Sequence, residues 1–269
     1  MKRRGIQQIG LAALLLAVLP VAAFAAATTG TVAAGTPQAT PSATPASTET
    51  DAQRLANLKS RGAIEIERRI NNLTAAQTDL SKSKFLTSSD EAALDTQLKN
   101  ELSGLAMLKT HLAADTTLAE AQADVQGIVN DYRVYVLMLP TVRMTAVSDR
   151  FTQVEQNLTT LMPLLQTRIT TAESAGKSIA ALQTSLYDMQ AKTAAATSLT
   201  SGLAAKLLTL QPTDYNSDHT ILESYRTSLG AAYADVQAAR TDAESIISGL
   251  KNLGVTTSSP KPTPASNNH

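Results

Sequence analysis

Residues 222–253 read LESYRTSLGAAYADVQAARTDAESIISGLKNL, and this stretch decides the fold. Leu222, Tyr225, Leu229, Ala232, Val236, Ala239, Ala243, Ile246, Leu250 and Leu253 follow one another in alternating steps of three and four. Such steps are the helical period, and they gather apolar side chains into one narrow stripe. A stripe held to about 3.5 residues per turn keeps facing a partner helix only when the two helices supercoil. Ala232, Ala239 and Ala243 carry little bulk, which implies a close approach by that partner. Gly254 stands just past the last apolar position, where a left-handed helix end is expected.

Toward the N-terminus the same period recurs. Ile179, Leu182, Leu186, Met189, Thr193, Ala196, Thr200, Leu203, Leu207 and Leu210 predict one unbroken fifth helix over 179–210. Met144, Val147, Phe151, Val154, Leu158, Leu161 and Leu165 predict a fourth, with Pro163 off its stripe and expected to kink it away from an intact core. In the first half, Leu55, Leu58, Ile66, Ile70, Leu73 and Leu80 place a helix over 51–80. Ser88-Ser89-Asp90-Glu91 is a capping-box pattern opening the second helix, whose stripe is Leu94, Leu98, Leu102, Leu105, Leu108 and Leu112. Thr117-Leu118-Ala119-Glu120 is another box, opening a third helix that stops before Pro140. The expected fold is all-α: an elongated antiparallel helical bundle with coiled-coil-like packing and disordered termini. Its parts are an N-terminal three-helix unit over 51–139 and a C-terminal three-helix heptad bundle over 140–254.

The ends are of another kind. Lys2, Arg3 and Arg4, an apolar run from Ile9, and Ala23-Phe24-Ala25 read as a signal peptide over 1–25, so the chain is expected to be secreted or extracytoplasmic. The alternative is an uncleaved signal anchor, with membrane contact through residues 9–27. Residues 26–50 are an Ala/Thr/Pro linker in which Pro37, Pro41 and Pro45 recur at a fixed spacing, and 255–269 are a Pro/Ser/Thr tail. Neither has the apolar periodicity of a folded element.

Composition excludes whole classes of chemistry. The 269 residues contain no Cys, which rules out disulfides, thiolate metal sites and cysteine nucleophiles. Basic and acidic residues number 23 each, so the chain has no electrostatic footprint for nucleic acid. Removing Lys2, Arg3 and Arg4 with the signal would leave it mildly acidic. Three Phe, six Tyr and no Trp supply few platforms for stacking sugars. Phosphate loops, His-Glu-x-x-His pairs and Gly-x-Ser-x-Gly elbows do not occur. His111 lies beside Leu112 on the second helix, His219 in a turn and His269 at the end of the tail, each without a nucleophile motif.

Two stretches stand out. Asp214, Asn216 and Asp218 alternate as in the first half of a calcium loop, and they are the only candidate metal ligands. However, His219 stands where the loop needs Gly, and Tyr225 where it needs the closing Glu, so these residues read as turn and cap chemistry and no metal is expected. Residues 132–140, YRVYVLMLP, are the most apolar run outside the signal. They fit a buried helix end; as an exposed lip, Tyr132, Tyr135, Leu137 and Met138 would be the partner-contact residues. Asn72-Leu73-Thr74 and Asn157-Leu158-Thr159 match the glycosylation triplet, but both sit on or beside apolar helical stripes.

Together with Glu65-Ile66-Glu67-Arg68-Arg69-Ile70, the run from Tyr132 to Pro140 and the segment from Asp214 to Arg226 resemble a family of uncharacterised secreted, all-helical bacterial proteins. The resemblance spans most of 51–254. It implies an exported helical protein and brings no assigned activity or site residues. The function expected is therefore a non-enzymatic structural or interaction module of the cell envelope or exterior, with no cofactor and with unidentified protein partners. The alternative is an envelope enzyme or ligand-binding protein whose polar site forms between helices.

Overall fold

The computed structural model describes residues 49–255. The expected signal, nearly all of the linker and the tail beyond Val255 lie outside the described residues. In chain order come α1 (Asp51–Leu80), α2 (Ser88–Ala114), α3 (Leu118–Asn130), a π-helical turn (Val134–Met138), α4 (Leu139–Ser174), α5 (Ala180–Thr200), α6 (Leu203–Leu207), α7 (Pro212–Ser217) and α8 (Glu223–Asn252). The described residues contain no strand.

The three helices of the first half begin on side-chain caps. Thr50 and Gln53 form a reciprocal box at α1, as do Thr117 and Glu120 at α3, each satisfying backbone N–H groups the helix leaves open. At α2 the cap is Thr87, whose hydroxyl accepts the Asp90 N–H at 3.1 Å; Ser88 is already helical, one residue inside the expected box. Helices α4 and α8 end alike. Gly176 and Gly254 take positive φ, and the next residues, Lys177 and Val255, donate back to Ala172 and Leu250, both at 3.0 Å. Val255 then packs on the core cluster that contains Leu250.

α8 packs along α5, and α4 lies against both. The stripe read from 222–253 faces inward: Leu222, Leu229, Ala232, Val236, Ala239, Ala243, Ile246 and Leu250 are buried, with Tyr225 and Leu253 half-buried. The second halves of α4 and α8 enclose one core with the start of α5; the first halves enclose another with the end of α5 and α6. A third core fills the space between α1, α2 and α3. Gly62 permits that packing, since a Cβ there would stand 2.6 Å from Leu112 Cδ2 and 2.9 Å from Val125 Cγ2.

Three helix boundaries differ from expectation. The fifth helix is not continuous over 179–210: it ends at Thr200, and Gly202 at φ 67° turns the chain into the short α6. Thr200 Oγ1 bonds the buried Glu155 carboxylate on α4 at 3.0 Å, which pins that end. The third helix stops at Asn130, well short of Pro140. Pro140 instead lies in the first turn of α4, where a missing N–H is tolerated, so the expected division at 139/140 falls within one helix. Pro163 is exposed within α4, off the buried stripe as its spacing implies.

The π turn joins the two halves. Met138 N donates to Arg133 O, five residues back, and Arg133 takes φ 39°, ψ 36°. A left-handed non-glycine residue is unfavourable by itself, and tertiary bonds hold this one. Arg133 Nε donates to Asn216 Oδ1 at 2.5 Å, and its guanidinium lies 5.5 Å from the Tyr215 ring centre. Val134 and Met138 enter the α1–α3 core, whereas Leu137 between them enters the core under α8.

Candidate functional site

Beside the π turn lies a crevice of about 150 Å³, smaller than the groove of about 300 Å³ between the end of α1 and the start of α4. The smaller one holds the chemistry. Asn100 and Glu101 reach it from α2, Tyr132 from the turn after α3, Thr141 from α4, Gln211 from the α6–α7 connection and Pro212 from the first turn of α7. Glu101 Oε2 and Thr141 Oγ1 are both buried without a hydrogen-bond partner. Burial pushes the Glu101 carboxyl up to about 7. Burial also raises the Tyr132 hydroxyl, with a smaller contribution from the Glu101 charge. Tyr132 reaches this position across Gly104, where a Cβ would stand 2.8 Å from the ring.

A carboxyl that keeps its proton to near neutrality can both donate and accept. His111 and His219 do not line this crevice. Two unpartnered polar atoms in a space of this size suit ordered water or a small polar ligand.

The residues singled out in 132–140 divide between this crevice and the core. Leu137 and Met138 are 3% and 7% exposed and close one wall of the crevice. Tyr132 is half-buried in it. Tyr135 points away, with the Arg68 and Arg69 guanidinium groups 4.8 and 5.1 Å from its ring centre and its hydroxyl accepting from Asn72 Nδ2 at 3.1 Å. The Asn72 of one glycosylation triplet is thus engaged with the fold.

The polar side chains of the Asp214–Asp218 segment are each engaged in hydrogen bonds within the fold. Asp214 Oδ2 accepts the Gln211 N–H at 2.8 Å, capping α7. Asn216 bonds Arg133 and the Asn130 carbonyl. Asp218 Oδ1 accepts from Thr220 N and Oγ1 at 2.8 and 2.6 Å, and these bonds hold its carboxyl below the usual range. His219 packs against Tyr215, ring centres 5.1 Å apart.

No family model matches this chain. No curated protein and no solved structure matches it either.

A second polar cluster closes the α2–α3 corner and escaped the sequence reading. His111, Asp115 and Asp124 bring one nitrogen and two carboxylate oxygens within 4.8 Å of one another. The signal available was the i, i+4 spacing of His111 and Asp115 at the end of α2. Asp124 lies seven residues past the cap at Thr117, and only the turn between the helices brings it alongside. Glu101 was equally hidden, being a helical Glu beside an apolar stripe whose burial appears only in the folded chain.

Proposed function

We propose that the protein is an exported, non-enzymatic helical module serving as a structural or interaction element of the cell envelope or exterior. One observation carries this reading. The polar side chains of the sequence segments that stand out most, Arg133, Tyr135, Asp214, Asn216 and Asp218, are spent on joining the chain's own helices and turns. Such side chains suit a scaffold whose shape is what a partner recognises. Export rests on Lys2, Arg3, Arg4, the apolar run and Ala23-Phe24-Ala25. No helix among the described residues is long and apolar enough to cross a membrane, and the anchored alternative rests on residues 9–27. The resemblance to secreted helical bacterial proteins points the same way.

Crosslinking on intact cells of the native host tests the module reading. A reproducible protein adduct, lost when the folded body is unfolded before crosslinking, supports it. Recovery of the uncrosslinked chain alone overturns it. N-terminal sequencing of the same material tests export: a start within about two residues of Ala26 is expected. Met1 retained on protein that sediments with membranes would instead make residues 9–27 an anchor.

The crevice favours a second reading, a ligand-binding protein with a polar site between helices, because Glu101 Oε2 and Thr141 Oγ1 are buried and unpartnered. A small molecule retained by the native chain in native mass spectrometry, and released by Thr141→Val, would support it over the scaffold.

A further inference from the structure

We propose that His111, Asp115 and Asp124 form a binding site for a divalent transition-metal ion of the zinc class. Local structure delivers the three groups to one point. His111 lies in the last turn of α2, and Asp115 is the residue that ends that helix, one turn further along the same face. The connection to α3 is short, and Glu120 fixes its geometry by accepting the Thr116 and Thr117 N–H groups, each at 3.0 Å. That reversal turns Asp124 back onto His111. Its Oδ2 lies 2.6 Å from His111 Nδ1, while Asp115 Oδ1 lies 3.8 Å from the same nitrogen.

A His–Asp pair that merely ties α2 to α3 accounts for the first contact and leaves Asp115 unexplained. Asp115 is 7% exposed, and its Oδ2 is buried with no hydrogen-bond partner. A buried carboxylate oxygen without a donor is unfavourable, and fold requirements alone would replace it with an apolar or amide side chain. Coordination of a cation resolves it. Metal–ligand bonds of about 2.1 Å in a tetrahedral site separate the ligand atoms by about 3.4 Å. The observed separations bracket that value, so small side-chain rotations suffice.

The donor set selects the ion class. One imidazole nitrogen with two carboxylates suits zinc and its first-row neighbours, whereas calcium and magnesium prefer oxygen throughout. Three protein ligands leave a fourth position for water, and the His111 side chain is 70% exposed, so the ion has a path from solvent. The surroundings are suited to the charge. Asp115 and Asp124 neutralise a divalent ion, Glu120 is occupied with the α3 cap, and Lys59 Nζ from α1 donates to the Asp115 carbonyl at 2.7 Å, fixing the ligand's backbone.

The test uses the full chain, zinc chloride and calorimetric titration, with cobalt(II) as a spectroscopic stand-in. One zinc ion should bind per chain, and cobalt(II) should show the intense visible absorption of a low-coordinate site. His111→Ala, at an exposed position, and the near-isosteric Asp124→Asn, at a half-buried one, should weaken zinc binding by about tenfold or more. His219→Ala should leave it unchanged, and circular dichroism melts confirm that each variant is folded. No uptake by the wild-type chain, or equal affinity in His111→Ala, overturns the proposal. A loss confined to His219→Ala overturns it as well, by placing the ion elsewhere.

Discussion

Glu101 couples the crevice to pH. Its carboxyl titrates near 4.5 in the unfolded chain and is raised to about 7 by burial in the fold. Below 4.5 it is protonated in both states, and the fold bears no penalty. As pH rises from 4.5 to about 7 the unfolded chain ionises first, so stability is lost across that window and levels off above it. A shift of this size corresponds to about 3 kcal/mol, which solvent screening of a partly open side chain reduces to about 1–2 kcal/mol. Glu101→Gln should therefore raise the melting temperature by about 2–6 °C at alkaline pH and leave it unchanged in acid. A variant that melts with the same offset from wild type at both pH values would show that Glu101 is not desolvated. Asp149 is raised to about 6 by burial, opposed by the Thr87 N–H, and shifts wild type and variant equally. Calcium at the Asp214–Asp218 segment is the other residue-scale expectation. Because its oxygens already accept backbone and side-chain hydrogens, millimolar calcium should leave the melting temperature of His111→Ala unchanged, and a rise of several degrees would require a site there.

At the scale of the element, two glycines separate what a helix tolerates from what ends it. Gly202 stands at φ 67° between α5 and α6, where a side chain would have free space but the wrong backbone. Gly230 lies exposed within α8 in ordinary helical conformation, also with nothing near its missing Cβ. Gly202→Ala should destabilise by about 1–2 kcal/mol through its left-handed backbone. Gly230→Ala should stabilise by about 0.5–1 kcal/mol through the unfolded chain's lost freedom. Denaturant midpoints moving in the same direction would contradict the break between α5 and α6. In the same helix as Gly230, Leu229→Asp buries an unpaired charge in the seam with α4 and α5. Urea unfolding should show a loss of several kcal/mol, about ten times the effect of the exposed Thr227→Asp.

For the whole molecule, the π turn is where the halves meet. Leu137 packs beneath α8, while Val134 and Met138 on either side of it pack beneath α1. Gln97 Nε2 on α2 donates to the Leu208 carbonyl at 2.6 Å, and Thr87 N donates to Asp149 Oδ2 on α4 at 2.8 Å. Contacts of this kind spread a local loss across both halves. Scanning calorimetry should show one cooperative transition, and Leu137→Ala should lower stability by about 2–5 kcal/mol without splitting it. Two separate endotherms in the wild-type chain would mean that the halves melt independently.

Period and caps were legible in the residues alone. The 222–253 stripe faces the core as its spacing implies, the Thr117–Glu120 box opens α3, and Gly254 ends α8 in a left-handed turn. These are local matters: apolar spacing, a hydroxyl within reach of a free N–H, and a residue without a Cβ suffice for them. The break at Gly202 had a local sign as well, but a stripe that continues through Leu203, Leu207 and Leu210 conceals it, because the chain changes direction while keeping its apolar face inward. Tertiary structure alone decided the rest. Arg133 holds a left-handed backbone because Asn216, eighty-three residues later, accepts its Nε–H. Burial in the folded chain raises the Glu101 carboxyl to about 7, beside a crevice that Gln211, far along the chain, also lines. Asp115 and Asp124 come together with His111 only because α3 folds back along α2. Desolvation and the convergence of charges depend on what lies nearby in space, and a helical period carries no record of that.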